Sequence, residues 1–200
     1  MANTAATFGF KHIGFLPGSA PDYQLSTRLI SSANTTSIYF GDPVVKVATS
    51  QYIAQASTTT SNVDGIFQGC MLIPSTGGAP TFSPYYPGAA AADVTAYVIE
   101  APNALFMAAA FSTNISSANI GEGISFSTGT GSTLGGGFSG FTLDQASLTT
   151  ATTAPFQIVG LYGLGGNFGG VGNGSDSTSA NNWVIVTFNN QRFKTLGTVA

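Results

Sequence analysis

Few side chains in this chain could do chemistry, and their spacing limits what they could do. His12 is the only histidine and Cys70 the only cysteine in 200 residues. A general base needs a positioned and oriented imidazole. His12 lies between Lys11 and Ile13, on the same alternating face as Phe8 and Phe10. That setting suits a packed or interfacial imidazole rather than a catalytic one. No G-x-S-x-G elbow is present, since "GFSGF" at 137–141 misses the second glycine. Cys70 follows "GIFQG" and precedes "MLI", with no neighbouring Cys or His to activate it. It reads as a small apolar residue on a buried strand. One His and one Cys fall short of the roughly four N/S ligands of a structural zinc site.

The carboxylates are equally unpromising. "GGVGNGSDS" (169–177) brushes against a glycine-rich calcium-binding repeat, but Gly174 stands where the Asp should be and there is a single copy. Asp176 could ligate an ion, yet an exposed Asp on a glycine turn is the simpler reading. Glycan cleavage needs two carboxylates across a cleft. Only Asp93 and Glu100 share an expected strand, and their odd spacing sends them to opposite faces. Neither a P-loop nor a dinucleotide fingerprint occurs. We therefore expect no catalytic residue, no cofactor, no metal and no enzyme.

Composition narrows the partners. Only 6% of residues are charged and the net charge is -3, against roughly 25% charged in ordinary soluble domains. A surface of Ser, Thr, Asn and Gly favours association with copies or partners. The five basic residues, Lys11, Arg28, Lys46, Arg192 and Lys194, form no run along the chain and no expected patch. Phosphate neutralisation needs several clustered cations, so nucleic acid is not an expected partner. The longest apolar run, "ALFMAAAF" at 104–111, is too short for a helix of about 20 apolar residues that crosses a membrane. The opening "MANTAATFGFKHIGF" lacks the pattern of a signal peptide. The acceptor-like triplets at Asn34, Asn114 and Asn173 therefore carry no expected glycan.

The elements that would hold these residues read as sheet. "SIYF" (37–40) ends at the turn Gly41-Asp42-Pro43, and "VVKVA" (44–48) and "QYIAQA" (51–56) follow. "VDGIFQGCMLI" (63–73) predicts a strand with bulges or close backbone approach at Gly65 and Gly69. "DVTAYVIE" (93–100) alternates, with Val94, Ala96 and Val98 on one face. "APNALFMAAAF" (101–111) fits a helix capped by Asn103 or a buried strand, and its surroundings favour strand. Strands resume at "PFQIVGLYGL" (155–164). In "NWVIVTFNN" (182–190) both faces are apolar, which predicts a central strand. From 121 to 177 Gly, Ser and Thr are interleaved with Phe126, Phe138, Phe141, Phe156 and Phe168. Disordered linkers lack such aromatics, so we expect ordered loops anchored by Phe. The fold class is all-β, a barrel or sandwich core with long Gly/Ser/Thr-rich loops. Residues 1–30 read as an extended N-terminal arm. Residues 31–200 read as a β-rich domain, divisible into 31–115 and 116–200.

The order "HIGFLPGSAPDYQLSTRLISSANTTSIYFGDPVV", "VDGIFQGC", "DVTAYVIEAPNALF" and "NNWVIVTFNN" resembles a group of tailed-bacteriophage structural proteins, the capsid decoration or cement proteins. The "GDPV" turn followed by "GIFQG" is similar to the small β-barrel of head-decorating proteins. The resemblance spans most of the chain and brings no catalytic residues. It implies a protein on the outside of the virion that grips the major capsid protein, bridges its subunits and associates with itself, as a trimer or between copies. Alternatives are a tail or head-fibre component and a carbohydrate-binding or adhesive β-module. Aromatics dominate interface energetics. The expected contact residues are Phe8, Phe10, Phe15 and Tyr23 in the arm, with Tyr85 and Tyr86 in "SPYYPG".

Overall fold

The computed structural model describes residues 2–134, 136–163, 172–192 and 194. Phe168, expected to anchor a loop, lies outside them, as do 169–171 of the glycine-rich stretch. The described chain is all-β: twelve strands in two antiparallel sheets that pack against each other around a sandwich-type core.

One sheet has the order β1-β8-β12-β11-β9-β10. Its strands are Lys11–Phe15 (β1), Ala104–Ala109 (β8), Trp183–Phe188 (β12), Phe156–Leu161 (β11), Gly123–Ser127 (β9) and Thr142–Thr149 (β10). The other runs β2-β7-β5-β3-β4, with β6 paired to β5. It uses Ser26–Ile30 (β2), Pro43–Lys46 (β3), Ile53–Gln55 (β4), Gly65–Leu72 (β5), Thr81–Ser83 (β6) and Val94–Ile99 (β7). Each sheet curls back on itself. Ala110 bridges to Leu143 in the first, and Leu29 bridges to Tyr52 in the second. The second closure is fastened by Asp93, which accepts from the Ser32 N–H (2.9 Å) and the Tyr52 hydroxyl (2.7 Å).

Each curled sheet encloses its own apolar cluster. Phe10, Phe106, Phe126, Phe141, Phe156, Val184, Val186 and Phe188 fill the first. Ile30, Val44, Phe67, Cys70, Val94, Ala96, Val98 and Tyr86 fill the second. Ile66 and Ile99, opposite each other across β5 and β7, point away from the second cluster and join the first. This is the seam between the sheets, and it follows from the period of two along a strand. Gly65 lies at that seam. A Cβ there would come within 2.4 Å of the Ile99 carbonyl oxygen, so the close approach expected at this glycine is present. Gly69 supplies the expected bulge, with φ +122° where the register with β7 shifts.

The sequence expectation for β8 is met as strand, and β12 is central, between β8 and β11. "SIYF" differs: Ile38 and Phe40 make isolated bridges to Tyr86 and Phe138 and no strand forms. The arm differs more. Residues 11–15 and 26–30 are strands that complete opposite sheets, pairing with β8 and β7 respectively. Their ladder partners lie far along the chain, so local pattern alone left them as arm. Residues 2–10 and 16–25 lie outside the strands, and the second stretch carries Tyr23 and Leu25 outward. The division at 115/116 also moves. The change of sheet falls between β7 and β8, and β1 belongs with the later strands.

Candidate interaction surface

Two surface features stand out on this body. The first is an apolar depression of roughly 460 Å³ lined by Phe8, Lys11, Phe40, Met107, Phe138 and Trp183. Lys11 and Met107 are neighbours across β1 and β8, and Trp183 pairs with Ala109 across β12 and β8. Phe8 meets Trp183 edge-on, with ring centres 5.1 Å apart, and Phe40 meets Phe138 edge-on at 6.0 Å. Trp183 is also tilted against Tyr162 at 5.2 Å. Gly174 lies on the Trp183 ring, where a Cβ would come within 2.2 Å of it. The indole N–H is buried and has no hydrogen-bond partner among the described residues. Beyond the depression, Tyr23 is 80% exposed and Leu134 is 82% exposed; Phe82 and Phe111 are exposed as well.

The six expected contact residues divide. Phe8 lines the depression. Tyr23 is exposed and stands edge-on to half-buried Phe15, 5.4 Å away. Half-buried Tyr85 stacks on Tyr39 at 5.8 Å. Phe10 and Tyr86 belong to the interior. Phe10 stacks on Phe156 at 4.4 Å. Tyr86 is fully buried and its hydroxyl donates to the Asn34 carbonyl (2.6 Å). Neither offers surface to a neighbour in the folded chain. The reason Phe8 and Phe10 part company is Gly9, whose φ of +67° breaks the strand alternation between them.

The second feature is a cleft of roughly 370 Å³ lined by Arg28, Lys46, Gln51, Ile53, Asp64 and Arg192. The basic residues that form no run in sequence thus converge in space, three of the five at one place. Arg28 on β2 donates to Glu100 through Nε and Nη2, both at 2.6 Å. Arg192 donates through Nε to Asp64 Oδ1, with Nη2 3.4 Å from Oδ2. Asp64 Oδ2 also accepts the Lys46 backbone N–H. Gln191, bridged to Val63 and fully buried, ties the group together. Its side-chain amide donates to the Asp64 carbonyl (2.8 Å) and the Glu100 carbonyl (2.7 Å). Sequence reasoning missed this site. The available signal was a charged residue inside an apolar strand, Arg28 in "STRLI" and Lys46 in "PVVK", which must find a partner or water.

Several other titratable groups have clear packing or hydrogen-bond partners. His12 packs edge-on against Phe15 and Phe106 at 5.0 and 5.8 Å, and burial lowers its pKa. Cys70 is buried, and desolvation pushes its thiol up to about 12. Asp93 and Glu100 serve different partners and form no pair. Asp176 closes an Asx-type turn: Thr178 and Ser179 hydroxyls donate to it at 2.7 Å, and these bonds hold its carboxyl down at about 2. Asp42, in the Gly41-Asp42-Pro43 turn, is fully buried and accepts from the Tyr39 N–H (2.8 Å) and Gln55 side chain (2.7 Å). Burial still pushes its carboxyl up. Among the described residues, no three His, Cys, Asp or Glu gather as metal ligands would, and no helix is long and apolar enough to cross a membrane. No family model, curated protein or solved structure matches the chain.

Proposed function

We propose that the chain is a virion structural protein, a capsid decoration protein that binds the outside of a phage head and bridges neighbouring major capsid subunits. The observation that carries this reading is the distribution of side chains over the surface. A body with 6% charged residues presents an aromatic depression and further exposed Tyr23, Phe82, Phe111 and Leu134. Apolar anchors in a neutral polar surround suit wet, hydrogen-bonded contact between proteins. Modest contacts suffice on a symmetric lattice, where multivalent placement multiplies them. The sequence resemblance to cement proteins points the same way.

A carbohydrate-binding module is the second reading, favoured by the lone Trp183 in the depression. Its ring is already engaged by Phe8, Tyr162 and Gly174, which leaves little open platform for a sugar. The test is the copy number of this chain relative to the major capsid protein in purified virions, by quantitative mass spectrometry. A simple proportion to the capsid subunit supports decoration. A handful of copies per particle would move the protein to the tail or a vertex, and absence from particles would sink the proposal.

A further inference from the structure

We propose that Asn173-Gly174 is a spontaneous deamidation site, held shut by Asn3 and Thr4, whose conversion releases the N-terminal segment from the body. The inference does not depend on the virion reading. This is the only Asn-Gly pair in the sequence, and the fold itself requires the glycine. Gly174 has φ +85° and lies on the Trp183 ring, so a larger residue does not fit. A glycine after asparagine leaves its backbone nitrogen unshielded beside the side-chain amide, the arrangement that cyclises most readily. Asn173 is exposed to water.

Both reacting groups are tied to residues from the opposite end of the chain. The Gly174 N–H donates to Asn3 Oδ1 at 3.0 Å, and the Gly174 carbonyl accepts the Trp183 N–H at 2.9 Å. Asn3 is fixed in turn. Its Oδ1 also accepts the Asp176 N–H (3.2 Å), and its Nδ2 donates to the Asp176 (2.7 Å) and Ala180 (3.2 Å) carbonyls. The Asn173 amide pairs with Thr4 through both of its polar atoms. Oδ1 accepts the Thr4 N–H at 2.7 Å, and Nδ2 donates to the Thr4 carbonyl at 2.9 Å. Ring closure requires the Gly174 N–H to leave Asn3 and the Asn173 amide to leave Thr4. Hydroxide then takes the Gly174 proton and the nitrogen attacks Asn173 Cγ. The N–Cγ bond forms as the Cγ–Nδ2 bond breaks, and ammonia departs with a proton from water. Water opens the five-membered imide at either carbonyl, leaving Asp or isoaspartate. Asp sets a carboxylate oxygen against the Thr4 carbonyl where Nδ2 had donated, and isoaspartate lengthens the backbone by one carbon. Both products break the pair with Thr4 and leave its carbonyl without that donor.

The full chain is incubated at mildly alkaline pH, and Asp and isoaspartate at position 173 are counted by peptide mass mapping. Amide exchange at Thr4 and Gly174 is followed in parallel by NMR. Asn3→Ala should convert about tenfold faster than the parent, a factor that corresponds to about two modest hydrogen bonds, with the amide signals of the core strands unmoved. Thr4→Pro deletes the N–H given to Asn173 Oδ1 and should convert about fivefold faster; it decides the case if Asn3→Ala does not fold. Asn173→Asp, one of the two products, should lose exchange protection at Thr4 and Gly174. Variants that convert at the parent's rate, or a parent that converts as fast folded as in urea, would overturn the hold by Asn3 and Thr4. An Asn173→Asp chain with Thr4 and Gly174 as protected as in the parent would overturn the release.

Discussion

Phe10 and Tyr23 should behave as opposites when each is cut back to alanine. Phe10 is fully buried, stacked on Phe156 at 4.4 Å and edge-on to Phe126 at 6.3 Å. Both partners are themselves buried and fixed by β11 and β9, so the space left by the ring cannot collapse readily. Removing a packed Phe ring typically costs about 3–5 kcal/mol. For a chain of this size each kcal/mol lowers Tm by roughly 2–4 °C, so Phe10→Ala should melt roughly 6–20 °C lower. Tyr23, 80% exposed with only Phe15 beside it, should stay within about 0.5 kcal/mol of the parent. Urea unfolding followed by the fluorescence of Trp183, the only tryptophan, measures both. A Phe10→Ala variant that loses less than about 1 kcal/mol would refute its place in the core and return it to the surface. If Tyr23 is a contact residue, Tyr23→Ala should leave the melt unmoved and weaken capsid binding in a sedimentation assay.

Three further outcomes follow from the geometry. Cys70, buried with its thiol pushed to about 12, should resist a thiol reagent at pH 8 in the native chain and react at once in urea; fast native labelling would contradict its burial. Carboxyl NMR titration should place Asp176 near 2 and Asp42 above its ordinary range. The signs then oppose. Asp176 contributes stability that is present above about 3.8 and lost as pH falls towards about 2. Asp42 favours the folded state at low pH and loses that contribution as pH rises through its raised value, a dependence that Asp42→Asn should remove from the unfolding curves. Gly69→Ala should destabilise by about 1–3 kcal/mol, because φ is +122° and the new Cβ would sit 2.9 Å from the Ser83 carbonyl oxygen. Adding Phe82→Ala should not rescue it; a rescue would place the strain in the Phe82 ring instead.

The sheet was legible wherever a strand carried its own pattern. Residues 93–100 alternate, and Val94, Ala96 and Val98 are indeed buried on one face, while Ile99 is buried on the other. Residues 182–190 are apolar on both faces because β12 is central. Phe126, Phe141 and Phe156 do anchor the Gly-rich half. What stayed hidden was whatever depends on distant pairing. β1 and β2 are short, separated by a stretch punctuated with Pro17, Gly18 and Pro21, and defined by β8 and β7 rather than by themselves. The aromatic depression was half legible: Phe8 was in view, but Phe40, Met107 and Trp183 come from three further segments. The cationic cleft was illegible for the same reason, since Arg28 and Arg192 come from opposite ends of the chain and Arg192 is held there beside the Val63–Gln191 bridge. Aromatic type alone could not separate Phe8 from Phe10, because the positive φ at Gly9 is a product of the fold.

The placement of β1 sets a timetable for making the protein. Gly14 pairs opposite Leu105, so β1 has no ladder to join until β8 has been synthesised. By then every strand of the sheet that closes on Asp93 has been made. Residues 11–15 must wait beside that half until the first edge of the next one, β8, has been made. Pairings this remote in sequence slow folding. The waiting edge of β8 would accept the same five residues from another chain by the same register, which makes crowded synthesis the moment when two copies could exchange first strands.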